Sequence, residues 1–479
     1  MKSLRLFFLA LFTLILAARL CHLDILWAEE TLPLAAAAQM ARGKILYRDL
    51  WFDKPPLLAA AYLAWGARDG FPLRLAGALY ALLACWIAWR FARDLWGQRE
   101  ALWAASLLAF YLIFDIPSAV TPLAADLLML APHLAAVWLA WRGRAFWSGV
   151  LAGVAFLINA KGALVLAACL VWNVRALPLL AAGFAVPNAL AAVWLWSQGA
   201  LDAYIQQVWI WGRVYAGVTF VDNPLANGVL RTLHWLGFHA TVAIAAAWFW
   251  WRDAGANRAR WAAWAVLAFG AVALGWRFFP RYYFALLPVA VLAGARGLTL
   301  LGGRRTIAVA ALLVVPLVRF GPRYALLAAG HSQHWVDIGM DGDSRKAAEL
   351  ARQWSKPGDT LFVWGFRPEL YIYTNLPAAT RFLDSQPLTG VPADRHLTQS
   401  RPVETESTRA HRGELARTHP TLIMDGLGPF NPKLAIGEYE DLRPWMAGYR
   451  EVARTGLTVI YKAIVGQAPG LRRPPRPPL

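Results

Sequence analysis

Apolar runs of membrane-spanning length recur from residue 4 to about residue 320, separated by short arginine-rich loops, and then stop. Roughly 20 apolar residues cross the hydrocarbon core of a bilayer as a helix. Backbone polar groups have no water to bond there, so the segments must be helical. The pattern predicts about eleven spans, at 4–22, 74–90, 101–115, 123–141, 146–160, 162–174, 176–196, 233–251, 260–276, 281–296 and 304–320. The segment at 162–174 is the shortest.

Beyond residue 320 the texture changes. TLFVWGF (360–366), TLIMDGL (421–427) and the pair YREVARTG and LTVIYKA (449–463) read as strands, and PELYIYTN opens a helix. The stretch QPLTGVPADRHLTQSRPVETES reads as an irregular loop. The fold class expected is a polytopic α-helical membrane protein with a small C-terminal α/β domain. Its divisions are 1–320 (transmembrane, with an exterior loop at 23–73), 321–465 (the α/β domain) and a basic, Pro-rich tail at 466–479.

Short basic loops set the orientation, because Lys and Arg are retained on the cytoplasmic side. With Lys2 and Arg5 inside, the loops carrying Arg90, Arg93 and Arg99, then Arg142 and Arg144, then Arg175, all fall inside as well. So do Arg252, Arg258 and Arg260, and finally Arg296, Arg304 and Arg305. The apolar stretch Pro56–Trp65 is too short to span and would invert this order, so it is expected as an interfacial or re-entrant helix. The loop at 23–73 and the C-terminal domain then lie outside. A second exterior loop, 197–232, contains LDAYIQQVWIWGRVY, which reads as an aromatic amphipathic helix in the interface.

Composition sharpens the picture. Of 479 residues, 58% are hydrophobic and 16% charged, well below the charged share of a soluble domain. The net charge of +18 could suggest nucleic acid, but much of it sits in the short loops that orient the spans, so no nucleic-acid partner is expected. Cys21, Cys85 and Cys169 lie in or beside apolar segments, at spacings that suit neither a metal site nor a disulfide framework. LFFLALFTLILAA could pass for a signal peptide; lacking a clean small-residue cleavage site, it reads as a retained first helix.

The candidate chemistry gathers on the exterior side. AEETLPLAAAAQMARGKILYRDLWFDKPPL (28–57) places Glu29, Glu30, Arg42, Lys44, Arg48, Asp49, Asp53 and Lys54 beside a membrane, where ionisable groups are costly. Glu29 and Glu30 are candidate carboxylate bases for an acceptor hydroxyl; the ordinary alternative is acidic charge in a first helical turn. Pro55 and Pro56 force a turn that can present Lys54 to a phosphate, or simply let it snorkel. Asp126 opens a span, where it would hold a polar acceptor or cation, or close a helix-end salt bridge. Lys161 in NAKG and Arg281 in RFFPRYYFALLP oppose the positive-inside tendency, so each needs an anionic ligand or a local carboxylate. His133 reads as a hydrogen-bonded packing residue, and WGFRPELY as structural. No Walker, HExxH or GxSxG pattern is present in the sequence.

In combination, the acidic pair after the first span, A..MA.GK.LYRD.WFDKPPL, Asp126, NAKG and RYYFALLPVAVLAGARG resemble the GT-C superfamily of membrane glycosyltransferases. The likeness is to the branch of protein O-mannosyltransferases and the lipid A aminoarabinose transferase, over residues 5–320. It implies inverting transfer of a sugar from a polyprenyl phosphate to a hydroxyl acceptor on lipid, glycan or protein. The reaction would take place at the periplasmic face of a bacterial inner membrane. It also implies that Glu29, where relatives usually carry Asp, with Glu30 beside it, acts as base or orients the acceptor. Asp53, Lys54, Asp126, Lys161, Arg281 and Tyr282 would border the donor, and the C-terminal domain resembles the exterior domains of bacterial members. No cofactor is fixed by the motifs; a divalent cation held by the acidic groups is a further possibility. The readings from other classes are a polyprenyl-lipid transporter or flippase and a non-catalytic scaffold, but no midplane charge or inverted repeat of a transporter is evident.

Overall fold

The computed structural model describes residues 2–217, 221–253, 255–331, 335–393 and 400–464. The expected tail at 466–479 and part of the loop after Gln386 lie outside them. The chain divides into two compact units, Met1–Glu30 with Asp53–Gln333, and Thr31–Phe52 with His334–Leu479. Residues 321–331 group with the helical unit and 31–52 with the C-terminal unit, where the sequence reading placed the division at 320.

Among the described residues, the first unit is built of helices and turns. It contains α1 (Lys2–Leu20), the start of α2 (Ala28–Met40), α3 (Pro56–Ala64), α4 (Phe71–Trp96), α5 (Gln98–Tyr111), α6 (Pro117–Val120) and α7 (Ala125–Trp141). These are followed by α8 (Ala145–Ile158), α9 (Gly162–Trp172), α10 (Leu177–Ser197), α11 (Leu201–Tyr204), α12 (Trp211–Gly217) and α13 (Pro224–Phe238). The unit closes with α14 (Ala240–Arg252), α15 (Arg258–Ala273), α16 (Leu287–Leu301), α17 (Gly303–Ala310), α18 (Val314–Phe320) and α19 (Pro322–Ala328). Among the described residues, four helical stretches are long and apolar enough to cross a membrane: Lys2–Leu20, Phe71–Trp96, Val174–Ser197 and Gly303–Ala328. Shorter apolar helices occupy Ala125–Trp141, Ala145–Ile158, Gly162–Trp172 and Leu287–Leu301. The protein is a multi-pass membrane protein.

Two expected spans are interrupted. The segment at 233–251 is divided between α13 and α14 at His239. The segment at 281–296 begins as a 3₁₀ turn, Pro280–Ala285, before α16. Proline causes the second break, since Pro280 and Pro288 lack the N–H of a continuous ladder. Pro56–Ala64 is helical as expected, and the LDAYIQQVWIWGRVY stretch is helical too, with a π-helical turn at Ile205–Ile210.

Small residues let the helices approach. A Cβ on Gly149 would lie 2.1 Å from the Leu180 carbonyl oxygen, and one on Gly297 1.8 Å from that of Ala245. These contacts pack α8 on α10 and α16 on α14 backbone to backbone, as membrane helices do without a hydrophobic driving force between them.

In the second unit, β1 (Leu361–Trp364), β2 (Leu422–Asp425), β3 (Tyr449–Arg454) and β4 (Val459–Ala463) form one sheet in the order β1-β2-β4-β3. Strands β1 and β2 are parallel and wholly buried; the other pairings are antiparallel. Its helices are α20 (Val336–Trp354), α21 (Glu369–Thr374), α22 (Gln386–Thr389), α23 (Glu406–Leu415) and α24 (Arg443–Met446). Buried Arg367 ties α20 to the sheet through Asp343 at 3.1 Å and Thr458 at 2.8 Å. Segment 31–52 is stitched to this unit by hydrogen bonds: Gln39 Oε1 accepts from Ala378 N at 2.9 Å, and Trp51 N donates to Arg381 O at 2.6 Å.

Candidate functional site

The site lies wholly within the helical unit and is assembled from helix ends. Glu29 is in the first turn of α2, Asp126 in the first turn of α7, Lys161 in the turn between α8 and α9, and Arg281 and Tyr282 in the 3₁₀ turn before α16. Each backbone break leaves a charged side chain free to turn away from its own helix.

The structure joins these residues into one ionic chain. Arg281 Nη1 meets Glu29 Oε1 at 2.6 Å, and Arg281 Nε lies 3.6 Å from Asp126 Oδ2. On the other carboxylate oxygen, Lys161 Nζ approaches Asp126 Oδ1 at 3.3 Å, and Asn159 Nδ2 donates to the same atom at 3.3 Å. The Lys161 ammonium also sits 3.0 Å from the centre of the Tyr282 ring, while the Arg281 guanidinium lies 4.8 Å from that of Phe279. Lys161 and Asp126 are nearly closed to solvent, whereas the Glu29 side chain keeps 34% of its surface exposed. Burial pulls the Lys161 ammonium down to about 8, with Asp126 acting in the opposite direction.

The backbone leading into Arg281 is strained. Trp276 (φ 57°) and Phe278 (φ 49°) both adopt the left-handed region, directly after Gly275 (φ 79°). Such conformations in bulky residues persist only where the surroundings over-determine them. Here Phe278 is locked into a core with Ala271, Val272, Tyr283 and Ala285.

Glu30, expected beside Glu29 in the site, does not join this ionic chain. Its side chain is fully buried and held bidentately by Arg74 at 2.9 Å, with Oε1 also accepting from Leu123 N at 2.8 Å. Successive helical residues point about 100° apart, so neighbours in sequence face different environments. Arg74 also bonds the carbonyls of His22 and Ile25, tying α2 and α4 to the segment that follows α1. Sequence reasoning missed Arg74, although an arginine in the first turn of a long apolar helix carries the same signal that singled out Lys161. Asn159 was missed too; its side chain bonds both Asp126 and Lys161 N.

Asp53 and Lys54 pair with each other at 2.8 Å, with the lysine partly exposed in the turn before α3. His133 is a packing residue as expected, its Nε2 accepting from Trp264 Nε1 at 3.0 Å. No cluster of three or more His, Cys, Asp or Glu suited to a metal occurs among the described residues. The donor set does not fit a divalent ion either, because the Arg281 guanidinium already bridges the two carboxylates and Lys161 neutralises Asp126.

No protein-family description matches the sequence, and no curated protein matches it. Solved structures do. ArnT from Cupriavidus metallidurans bound to undecaprenyl phosphate superposes with a TM-score of 0.59 at 16% identity, covering 97% of this chain and 98% of that one. The apo form of the same protein gives 0.57 at 15% identity, over 96% and 98%. The archaeal oligosaccharyltransferase AglB from Archaeoglobus fulgidus, in complex with an inhibitory peptide and a dolichol-phosphate, gives 0.47 at 12% identity, over 97% and 75%. Across nearly its whole length, this chain has the fold of ArnT.

Proposed function

We propose that this protein is an inverting glycosyltransferase that moves a sugar from a polyprenyl-phosphate donor to a hydroxyl acceptor at the periplasmic face of a bacterial inner membrane. The observation that carries the reading is the convergence of two cations, Lys161 and Arg281, with two carboxylates, Glu29 and Asp126, from four separate helix ends. A polyprenyl phosphate leaves readily when cations receive the charge that develops on it, and fixed cations in a water-poor site do so without reorganisation. Lys161 and Arg281 would take that part.

Glu29 supplies the opposite role. While Arg281 holds it at 2.6 Å, its carboxylate is a poor base. An arriving phosphate competes for Arg281 and releases Glu29 to take the acceptor proton, so base activation follows donor binding. Asp126 and Tyr282 hold Lys161 in place during the exchange. The ArnT likeness supports the reading at the level of fold, and the undecaprenyl phosphate bound in that protein is a donor-type lipid.

The test is transfer from a panel of radiolabelled polyprenyl-phosphate sugars by the wild type and by Glu29→Gln. Transfer by the wild type, lost in the variant while donor binding persists, supports the proposal. Binding without transfer across the panel favours a transporter or scaffold.

A further inference from the structure

A second titratable pair lies in the helical unit, apart from the ionic chain. His239, at the junction of α13 and α14, is buried between two flat neighbours. Its ring stacks on Tyr111 of α5 at 4.3 Å and on Trp235 of α13 at 4.3 Å. Trp235 in turn stacks on Tyr283 at 5.5 Å and 17°, and the Tyr283 hydroxyl bonds Thr232 at 2.9 Å. Four rings therefore run from α5 to the turn that carries Arg281 and Tyr282.

The hydrogen-bond chemistry of His239 is over-constrained. Its Nδ1 lies 3.0 Å from the Trp235 carbonyl, which can only accept, so Nδ1 carries the proton. Nε2 is then the acceptor of a neutral ring, yet it faces Asp115 Oδ2 at 3.6 Å and has no hydrogen-bond partner among the described residues. Two acceptors facing each other in a buried site repel, and one proton on either removes the conflict. Asp115 Oδ1 is already committed to Ile116 N at 2.7 Å. Arg323 lies close by but directs Nη1 and Nη2 to the carbonyls of Asp115 and Ile113 and to the Tyr324 hydroxyl. It does not supply the missing proton between the two side chains.

We infer that Asp115 and His239 hold one proton between them, and that this proton keeps His239 in place as a positioning residue for the Pro280–Ala285 turn and its donor-binding cation. The groups facing the pair are Tyr111 from α5, Trp235 from α13, Arg323 and Tyr324 from α19, and, through Trp235, Tyr283. The positioning role rests on the proposed reaction; the shared proton does not.

Two readouts separate them. In protein reconstituted in nanodiscs at pH 7, infrared difference spectra of the wild type against Asp115→Asn, and ¹⁵N spectra of histidine-labelled protein against His239→Gln, should show a protonated carboxyl or an imidazolium. A carboxylate together with a neutral imidazole overturns the shared proton. For positioning, binding of undecaprenyl phosphate is measured directly. His239→Phe keeps the stack but loses the polar links, and should weaken binding about fivefold. Asp115→Asn, whose amide donates to Nε2, should stay within about twofold of the wild type. Equal binding by the wild type and His239→Phe overturns the positioning role. Lipid binding combined with no sugar transfer by the wild type instead counts against the glycosyltransferase reading alone.

Discussion

Arg281 reaches both carboxylates of the candidate site, meeting Glu29 at 2.6 Å and Asp126 at 3.6 Å. One guanidinium thus links the exposed acid to the buried one. Removing it should do more than weaken donor binding. Arg281→Gln leaves Glu29 without the cation that restrains it and the phosphate without its receiving charge. The expected outcome is a rise in donor KM together with a fall in kcat of about 10²–10³-fold, the cost of deleting one fixed electrostatic donor. Steady-state transfer kinetics check it, and a rise in KM alone would confine Arg281 to binding.

Adjacent glutamates should separate cleanly. Glu30→Gln leaves Arg74 as an uncompensated buried charge, a cost of about 3–5 kcal/mol. Loss of folded protein in detergent, read by thermal unfolding, is expected. Glu29→Gln removes a partly exposed group and should leave the unfolding temperature near that of the wild type while abolishing transfer.

Alkaline pH should silence the site through Lys161. It lies in the turn outside α8 and α9, and burial brings its ammonium down to about 8. Below that pH the cation is present; above it the amine is neutral and cannot meet a phosphate. The kcat/KM for donor, which reports the free enzyme, should fall as pH rises through about 8. In Lys161→Arg the guanidinium stays charged and that limb should vanish. A limb unchanged in the arginine variant assigns it to another group.

Helix packing offers a control away from the chemistry. A side chain at Gly297 meets the Ala245 carbonyl at 1.8 Å, so Gly297→Val should separate α14 from α16. A destabilisation of about 2 kcal/mol is expected from such overpacking, seen as a lower unfolding temperature with no change in the pH profile.

The elements of the membrane unit were legible because apolar length and proline placement are local signals. The strands of the second unit were legible for the same reason, since LFVW and LIMD are short buried runs between turn residues. Much of the candidate site was legible as well. Lys161, Arg281 and Asp126 are charges at apolar helix ends, and such charges need partners wherever the chain puts them. What escaped depends on contacts made across long stretches of sequence. Glu30 looks like Glu29 until the phase of α2 and the position of Arg74 are known. Segment 31–52 reads as an ordinary loop until Gln39 and Trp51 meet backbone atoms more than 300 residues away. The break at His239 follows Gly237, but a lone glycine is tolerated inside an apolar helical run, so the local signal is too weak to announce it.

The most direct test of the account is a structure of the protein with undecaprenyl phosphate bound. The account predicts the phosphate against Lys161 Nζ and the Arg281 guanidinium, with Glu29 released from Arg281. A phosphate seated elsewhere, with the Glu29–Arg281 pair intact, would contradict it.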